Sequence, residues 1–247
     1  MSTKTEIKNG YTLITGATSS LGEEVARRRA TTDRLLLHGR DLDALEALAS
    51  ELRQYTDVRI WCCDFRNPAR LHGEFLRLLE QDRLRVERVV HAAGYLKILP
   101  LRSFELIDTM TIFNVNVFSI IEILRVLARK PYRDQLRSVV VMSALFSKFG
   151  DKGNAIYSAS KGALNSLVKG LAVEFPQTRF NSLILGAVRT RMTDHLFVPG
   201  ADSQRFARYL LGTGNPSEVA DGVDFLLKET LWMTGQELFL DGGASIA

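Results

Sequence analysis

Tyr157 and Lys161 lie four residues apart in the stretch YSASK and form a pair suited to acid–base chemistry. If the stretch is helical, both side chains project from one face. A phenol with a pKa of about 10 is a poor acid or base at neutral pH, but an adjacent ammonium group favours the phenolate. We therefore expect Lys161 to lower the pKa of Tyr157, and Tyr157 to exchange a proton with a substrate.

A second stretch, TGATSSLG at residues 15–22, has the composition of a phosphate-binding turn. It follows an apolar run and precedes EEVARRR, which has the pattern of a helix. Glycines let the main chain approach a pyrophosphate, and the helix N-terminus offers free N–H groups and partial positive charge. We assign five residues to such a site: Gly16, Ser19, Ser20, Leu21 and Gly22.

Seven short apolar runs alternate with longer segments of helical period. Runs that are apolar on both faces and separated by helices predict a parallel sheet, covered on both sides and wound right-handedly. In a sheet of this kind a ligand binds beyond the carboxyl ends of the strands, where the winding reverses. The runs cover residues 11–17, 34–39, 58–65, 87–94, 138–145, 179–186 and 237–243.

Three helices can be placed from their first residues. Asp41 precedes a segment with leucines at 42, 45, 48 and 52, which is typical of a capped amphipathic helix. Pro68 and Pro216 each follow an asparagine. This order predicts an asparagine cap with proline at the first helical position.

From Thr12 to Gly243 the order of these features resembles the short-chain dehydrogenase/reductase family, and ketoacyl-carrier-protein reductases within it. The family turn reads TGxxxGxG; Thr15, Gly16 and Gly22 match it, and Ser20 stands at the middle glycine. The resemblance implies an α/β fold, a single doubly wound Rossmann domain over residues 1–247. It also implies a seven-stranded parallel sheet in the order 3-2-1-4-5-6-7.

The second run ends in HGR, where a dinucleotide-binding fold selects its cofactor. An acidic residue would accept hydrogen bonds from the adenosine ribose, whereas a guanidinium pairs with a 2′-phosphate. Gly39 takes the usual place of the acid and Arg40 follows. We predict NADP(H) as the preferred cofactor, with NAD(H) as the alternative if Arg40 is only a surface charge.

The resemblance implies further cofactor contacts. Asp64, followed by Phe65, would bind the adenine amine. HAAG at residues 91–94 stands for the family's NNAG, so Ala92, Ala93 and Gly94 would also line the cofactor. Ala92 removes an amide that helps to hold the family's sheet together, and its bonding must be either replaced elsewhere or done without. We expect His91 to be a packed strand-end residue rather than a metal ligand, since no second ligand has suitable spacing, and we predict no metal.

At the reaction centre, the resemblance makes Tyr157 the proton donor while hydride passes from nicotinamide to a carbonyl carbon, or the reverse. Lys161 would also hold the nicotinamide ribose, and Asn116 would keep a water behind the lysine. For the nearby Asn114, a purely structural role, with its amide bonded to the backbone of its own helix, is an equally good interpretation. LGAVRTRM resembles the family's PGxVxTxM, which places Gly186, Val188 and Thr190 at the nicotinamide carboxamide.

One part of the family's site is missing. The catalytic serine of the family lies thirteen residues before the tyrosine, and that residue here is Ala144. Ser143 is one residue early on a strand, where its side chain should face the other way. Three interpretations stay open: a bulge turns Ser143 into the site, Ser147 or the substrate supplies the bond, or the enzyme works without it. The function predicted is an NADPH-dependent carbonyl reductase; the alternative is a weak or inactive dinucleotide-binding sensor or scaffold.

Composition limits the partners. The chain has 247 residues and a formal charge of +4, spread along its length, which argues against nucleic acid binding. Its two cysteines, Cys62 and Cys63, are adjacent, which favours a reducing compartment. Neither a signal peptide nor a membrane span is indicated, and we expect a cytoplasmic protein with a small or carrier-linked substrate.

Two further expectations concern surfaces. Residues 191–214 are polar and punctuated by glycine, which favours a substrate lid, with an ordinary packed surface helix as the alternative. Family members commonly form tetramers or dimers through the helices after the fourth and fifth strands. An apolar run broader than one core stripe agrees with a homotetramer or homodimer: Ile112, Phe113, Val117, Ile120, Ile121 and Leu124.

Overall fold

A computed structural model describes residues 10–194, 197, 206–229 and 232–247. Seven strands form one parallel sheet; six fall within an apolar run of the sequence, and the fourth begins one residue before its run. Residues 195–196 and 198–205 of the predicted lid lie outside the described residues. The strands are β1 (Tyr11–Thr15), β2 (Arg34–Gly39), β3 (Val58–Cys62), β4 (Val86–His91), β5 (Ser138–Ala144), β6 (Arg179–Leu185) and β7 (Glu237–Leu240).

The strand order is β3-β2-β1-β4-β5-β6-β7, so the predicted doubly wound Rossmann architecture is confirmed. The chain winds outward from β1 to β3, then returns to pair β4 with β1 on its other side. The winding therefore reverses between β1 and β4. A cleft opens beyond the carboxyl ends of these two strands, as expected for a sheet of this type.

Helices cover both faces of the sheet. Along β1 consecutive residues alternate between two separate cores: Leu13 packs with Ile120 and Val139, whereas Ile14 packs with Val25. This alternation explains why every residue of β1 is apolar or buried. The helices are α1 (Ser20–Arg29), α2 (Leu42–Leu52), α3 (Leu71–Gln81), α4 (Leu106–Phe113), α5 (Ser119–Leu127), α6 (Ala155–Glu174) and α7 (Pro216–Leu227).

The three predicted helix starts differ in outcome. Asp41 accepts the Ala44 N–H at 3.0 Å and caps α2 as expected. Pro216 opens α7, where the Asn215 N–H donates to Glu218. The prediction at residue 67 is wrong, because proline at 68 opens only a three-residue 3₁₀ turn and the asparagine side chain makes no capping bond. The preceding turn is organised instead by Asp64, which accepts the N–H of residue 66.

Helices α4 and α5 are joined through a π-helical turn, Asn114–Phe118, into one long helical segment. Residues 106–127 are long and apolar enough to cross a membrane by length and composition, and half of the most apolar window is buried inside the protein. Ile120, Ile123 and Leu127 belong to a core cluster that includes residues of the sheet. The fold therefore accounts for this apolar segment as a core helix.

Candidate active site

The cleft at the carboxyl edge of the sheet has a volume of about 450 Å³. Most of the residues predicted to bind a cofactor or substrate line it, although Gly22 and Asn116 lie behind its wall. Its lining includes Gly16, Ser19, Ser20, Leu21, Arg40, Asp64, Phe65, Ala92, Ala93, Gly94, Ser143, Ala144, Tyr157, Lys161, Gly186, Val188 and Thr190.

The turn from β1 to α1 requires its two glycines. Gly16 has φ +65°, and a Cβ there would lie 2.8 Å from Ala93 Cα. A Cβ on Gly22 would lie 2.2 Å from the Gly16 carbonyl oxygen. The turn is therefore flat and closely packed from behind, which leaves its cleft side open to a phosphate group.

The two serines of this turn have local partners. Ser19 caps α1, because its Oγ accepts the Gly22 N–H at 3.1 Å. The Oγ of Ser20 accepts the Arg191 main-chain N–H at 3.1 Å. Since accepting a bond does not use a hydroxyl's own hydrogen, Ser20 can still donate to a phosphate oxygen. The amides of Ser20 and Leu21 lie in the first turn of α1, where an α-helix provides no carbonyl partner. The turn thus fits an anionic ligand.

In the part of the cleft lined by Arg40, Asp64 has a cationic partner. Its carboxylate accepts bonds from the Arg66 N–H at 2.9 Å and from Arg66 Nε at 2.8 Å. Arg66 is the main reason that the pKa of Asp64 is below its ordinary value, and Arg40 adds to the effect. Arg40 and Arg66 therefore place two guanidinium groups in this part of the cleft.

His38 supports the turn from below and was not singled out by the sequence. Its ring stacks on Phe65 with centroids 3.7 Å apart. Because the Cys63 carbonyl at 3.1 Å can only accept, Nε2 carries the hydrogen, and Nδ1 accepts the Gly16 N–H at 3.3 Å. Burial lowers the pKa of His38 to about 3, so the ring is neutral at physiological pH.

His91 replaces bonding that the alanine at 92 removes. Its Nε2 donates to the Asn116 carbonyl at 3.1 Å, so its Nδ1 accepts from the Thr15 hydroxyl at 2.9 Å. Thr15 Oγ1 in turn accepts the Ala93 N–H at 3.1 Å. A fully buried histidine therefore ties β1 to β4 and to the π-helical turn. Across the described ranges, no group of three histidine, cysteine or acidic side chains is placed to hold a metal ion.

Tyr157 and Lys161 lie on one face of α6, as their spacing predicts, with Lys161 Nζ 5.6 Å from the centre of the phenol ring. Lys161 Nζ donates to the Met142 carbonyl at 2.8 Å, and burial lowers its pKa to about 8. The expected lowering of the Tyr157 pKa is not found. Although Tyr157 is partly exposed to the cleft, it lies deep in the molecule, and burial raises the pKa of its phenol. At this separation, desolvation outweighs attraction by the ammonium group.

Asn116 lies in the π-helical turn and is fully buried. Its Oδ1 accepts the Tyr95 N–H at 2.7 Å, and its Nδ2 donates to the Tyr95 carbonyl and to Ser160 Oγ. The side chain thus joins α6 to the loop after β4. Asn114 instead donates to the Arg66 carbonyl at 2.8 Å, so the interpretation of Asn114 as an amide bonded to its own helix is wrong.

The hydroxyls near position 144 are held elsewhere. Ala144 continues the regular pairing of β5 with β6, which includes Ser143, so no bulge turns Ser143 around. Ser143 Oγ donates to the Lys161 carbonyl at 3.2 Å. Ser147 Oγ accepts from Asn165 at 2.8 Å. The interpretation in which a bulge turns Ser143 into the site is therefore wrong. Two interpretations remain: Ser147 or the substrate supplies the bond, or the enzyme works without it.

Beyond β6 the chain forms the opposite wall of the cleft. Thr190 is bonded through both its N–H and its Oγ1 to Thr193 Oγ1, each at 3.0 Å. The Tyr209 hydroxyl accepts the Ala187 N–H at 3.1 Å. Residues 206–214 of the predicted lid are thereby attached to the segment that follows β6.

Comparison with known proteins gives the family. A family model described as enoyl-(acyl-carrier-protein) reductase matches residues 16–245. Cyclopentanol dehydrogenase from Comamonas sp. (strain NCIMB 9872) is 32% identical, with 67% of this chain and 68% of that protein covered. The chain belongs to the short-chain dehydrogenase/reductase family.

Similarity within this oxidoreductase family extends over nearly the whole chain. Carbonyl reductase family member 4 from Xenopus laevis is 27% identical, covering 94% of this chain and 97% of that protein. The crystal structure of a short-chain dehydrogenase from Burkholderia cenocepacia J2315 in complex with NADP superposes with a TM-score of 0.85. It is 24% identical and covers 96% of this chain and 98% of the other. The predicted family and its fold are thus both confirmed.

Proposed function

We propose that this protein is an NADPH-dependent reductase that converts a carbonyl group to an alcohol, or runs the reverse reaction. One observation carries the proposal: a single cleft is lined both by the glycine turn with Arg40 and by Tyr157 with Lys161. An anionic dinucleotide bound along the cleft would reach from the turn to the phenol. Two similar proteins are named as a carbonyl reductase and a cyclopentanol dehydrogenase, and these names support this reaction.

Different residues of the cleft would bind different parts of NADPH. The turn at Gly16 would bind the pyrophosphate, and Arg40 would pair with the 2′-phosphate. Lys161 would bond the nicotinamide ribose, while Val188 and Thr190 would meet the carboxamide. When bound, NADPH supplies the hydride; the protein supplies binding, orientation and the proton.

The state of the phenol suits proton donation. Because burial raises the pKa of Tyr157, its hydroxyl is protonated at neutral pH and can donate to a carbonyl oxygen that gains charge. Lys161 is a short distance away and has a pKa of about 8, so it can share a proton with groups in the cleft near neutral pH. Asn116 and Ser160, bonded at 2.9 Å, hold the helix that carries both residues.

The experiment that tests this proposal is a titration with NADPH and NADH, followed by turnover on a panel of carbonyl compounds. We expect tighter binding of NADPH, a loss of that preference in Arg40→Ala, and a loss of turnover in Tyr157→Phe without a loss of NADPH binding. Equal affinities that Arg40→Ala leaves unchanged would contradict the cofactor assignment. Absence of binding to either dinucleotide would contradict the function itself.

A second candidate is a dinucleotide-binding sensor or scaffold with little or no turnover. Ala144 favours it, because the hydroxyl that would polarise a carbonyl is absent at this position and Ser143 is bonded to Lys161. Loss of one such donor typically lowers the rate by about 10²–10³, which weakens catalysis without abolishing it. NADPH binding with no turnover on the panel, the same in Tyr157→Phe, would select this candidate.

The remaining expectations are also proposals. We infer a cytoplasmic protein that acts on a small or carrier-linked substrate and assembles as a homodimer or homotetramer. Four residues of the run that was expected to serve assembly, Ile112, Val117, Ile120 and Leu124, are instead buried inside the single chain. Other apolar side chains on α4 and the adjoining turn are exposed and support assembly, among them Leu106, Ile107, Met110 and Phe118. Light scattering after size-exclusion chromatography tests it, and a monomer at micromolar concentration would contradict it.

A further inference from the structure

Arg191 joins the wall that follows β6 to the glycine turn on the other side of the cleft. Its main-chain N–H donates to Ser20 Oγ at 3.1 Å. Its guanidinium Nη2 donates to the Thr18 carbonyl at 2.5 Å and to Glu23 Oε1 at 2.6 Å. Thr18 and Ser20 also line the cleft, so the arginine lies over the part of the turn that was assigned to the pyrophosphate.

The charge of this arginine is available to a ligand. Its side chain is 66% exposed, and its acidic partner, Glu23, lies 3.7 Å from a second cation, Arg27. If the Arg191 guanidinium turns toward an anion in the cleft, Glu23 therefore keeps a cationic neighbour. The first turn of α1 attracts negative charge to the same place. A guanidinium can also bind two phosphate oxygens at once.

The main-chain contact explains the serine at position 20. Glycine, which the family has at this position, could not accept the Arg191 N–H through a side chain. The Ser20 hydroxyl holds the main chain of residue 191 against the turn, whatever the guanidinium does. The departure from the family pattern thus fixes the main chain of residue 191 against the turn, and this places the arginine side chain beside the turn.

We propose that Arg191 is a pyrophosphate-binding residue, held across the cleft by Ser20, and that it contributes equally to the binding of NADPH and NADH. The inference rests on the proposed function, since it requires a dinucleotide in the cleft. It differs from the role of Arg40, which acts on the 2′-phosphate alone. Arg191 would therefore raise the affinity for both dinucleotides, whereas Arg40 would set the selectivity for NADPH over NADH.

The test is isothermal titration calorimetry of four ligands against Arg191→Gln. NADPH, NADH and ADP contain a pyrophosphate, and adenosine 2′-monophosphate does not. A charge-assisted contact of this type should weaken the first three by about tenfold and leave the fourth unchanged. Ser20→Ala should also weaken the same three ligands, because it releases the main chain of residue 191 and removes a hydroxyl that can donate to a phosphate oxygen.

Two variants serve as controls. Arg189→Gln removes an equal charge two residues away, from a guanidinium that lies over Phe197, and should leave all four affinities unchanged. Arg40→Ala should show the opposite pattern, with weaker NADPH and adenosine 2′-monophosphate but unchanged NADH and ADP. If Arg191→Gln binds all four ligands like the wild type, or if Arg189→Gln weakens them equally, the inference is wrong. A wild type that binds none of the ligands would overturn the proposed function as well.

Discussion

Ala144 and Lys161 show how single positions set the chemistry of the cleft. The alanine leaves one wall without a hydroxyl, while the lysine brings a buried ammonium group within reach of the phenol. Burying that charge is unfavourable, as the lowered pKa of Lys161 shows. A group retained at such a cost to stability is a candidate for function.

Replacing the alanine tests what the site lacks. Ala144→Ser adds a hydroxyl at the end of β5 and should raise kcat/KM by about tenfold or more, because a positioned donor stabilises charge on the carbonyl oxygen. Ser143→Ala is the matched control; its hydroxyl is bonded to the Lys161 carbonyl, so we expect a change of less than a few fold. Steady-state kinetics on one substrate measure both. Unchanged kcat/KM in Ala144→Ser would mean that another group already polarises the substrate.

The buried ammonium should be visible in stability. The pKa of Lys161 falls from 10.5 to about 8 in the folded state, so between these values the unfolded chain binds more protons and wild-type stability rises with pH. Below about pH 8 the full penalty of about 3 kcal/mol applies. Lys161→Met should therefore be the more stable protein at pH 7, and this advantage should shrink by pH 10.5. Urea unfolding at the two pH values measures it; an advantage that does not change with pH would contradict the assignment.

Residue types and order were enough to find Tyr157, Lys161 and the glycine turn, because covalent spacing on a helix or turn fixes which side chains share a face. They were not enough for His38 or Arg191, whose partners lie far away in sequence. The pKa of Tyr157 was predicted in the wrong direction because spacing shows which charges are near but not how deeply the phenol is buried.

At the scale of elements, β1, α1 and α7 are joined by a buried ion pair. Asp33 is fully buried, and its Oδ2 accepts from Thr12 Oγ1 at 2.6 Å and from Arg29 Nη2 at 2.6 Å. Arg29 also bonds to Asp224 on α7. The pair fixes how the first helix sits against the sheet, and hence where the glycine turn lies.

Breaking this pair should be costly. Asp33→Ala leaves Arg29 largely buried with only one of its carboxylates, which typically lowers the free energy of unfolding by about 3–5 kcal/mol. Asp221→Ala removes an exposed partner of the neighbouring Arg28 and should have little effect. Urea denaturation of both variants at pH 7 makes the comparison. Equal losses in the two would show that burial does not determine the value of the pair.

The strands could be predicted because their apolar runs alternate with helical segments, a pattern typical of a covered parallel sheet, whereas their order was implied only by the family resemblance. The helix start at Pro68 could not be predicted, since a proline permits a 3₁₀ turn as readily as an α-helix and the choice depends on the contacts of Asp64. The π-helical turn that positions Asn116 likewise has no local signature, because it depends on bonds to Tyr95 and His91.

For the whole molecule, two buried histidines should govern stability in mild acid. The pKa values of His38 and His91 fall from 6.5 to about 3, mainly through burial. The unfolded chain therefore binds more protons between these values, and stability is lost as the pH falls through this window. Each ring should account for a loss of about 2 kcal/mol between pH 7 and pH 5.

Denaturant unfolding at pH 7 and pH 5 measures this loss. His91→Asn, whose amide can donate and accept, should reduce the loss by about half, whatever its stability at pH 7. An identical loss in His91→Asn and the wild type would show that His91 does not titrate on unfolding.

The hydrogen bonds of His91 also make its ring a spectroscopic probe of the contact between β4 and the π-helical turn. Its ring hydrogen, held between strand β4 and the π-helical turn, is shielded from solvent, so it should give a separate imidazole N–H resonance far downfield in a proton spectrum. Exchange of that hydrogen for deuterium would require the two layers to part. The rate of this exchange would therefore measure how often β4 and the π-helical turn separate. A slower rate with nucleotide present would show that a bound nucleotide stabilises this contact.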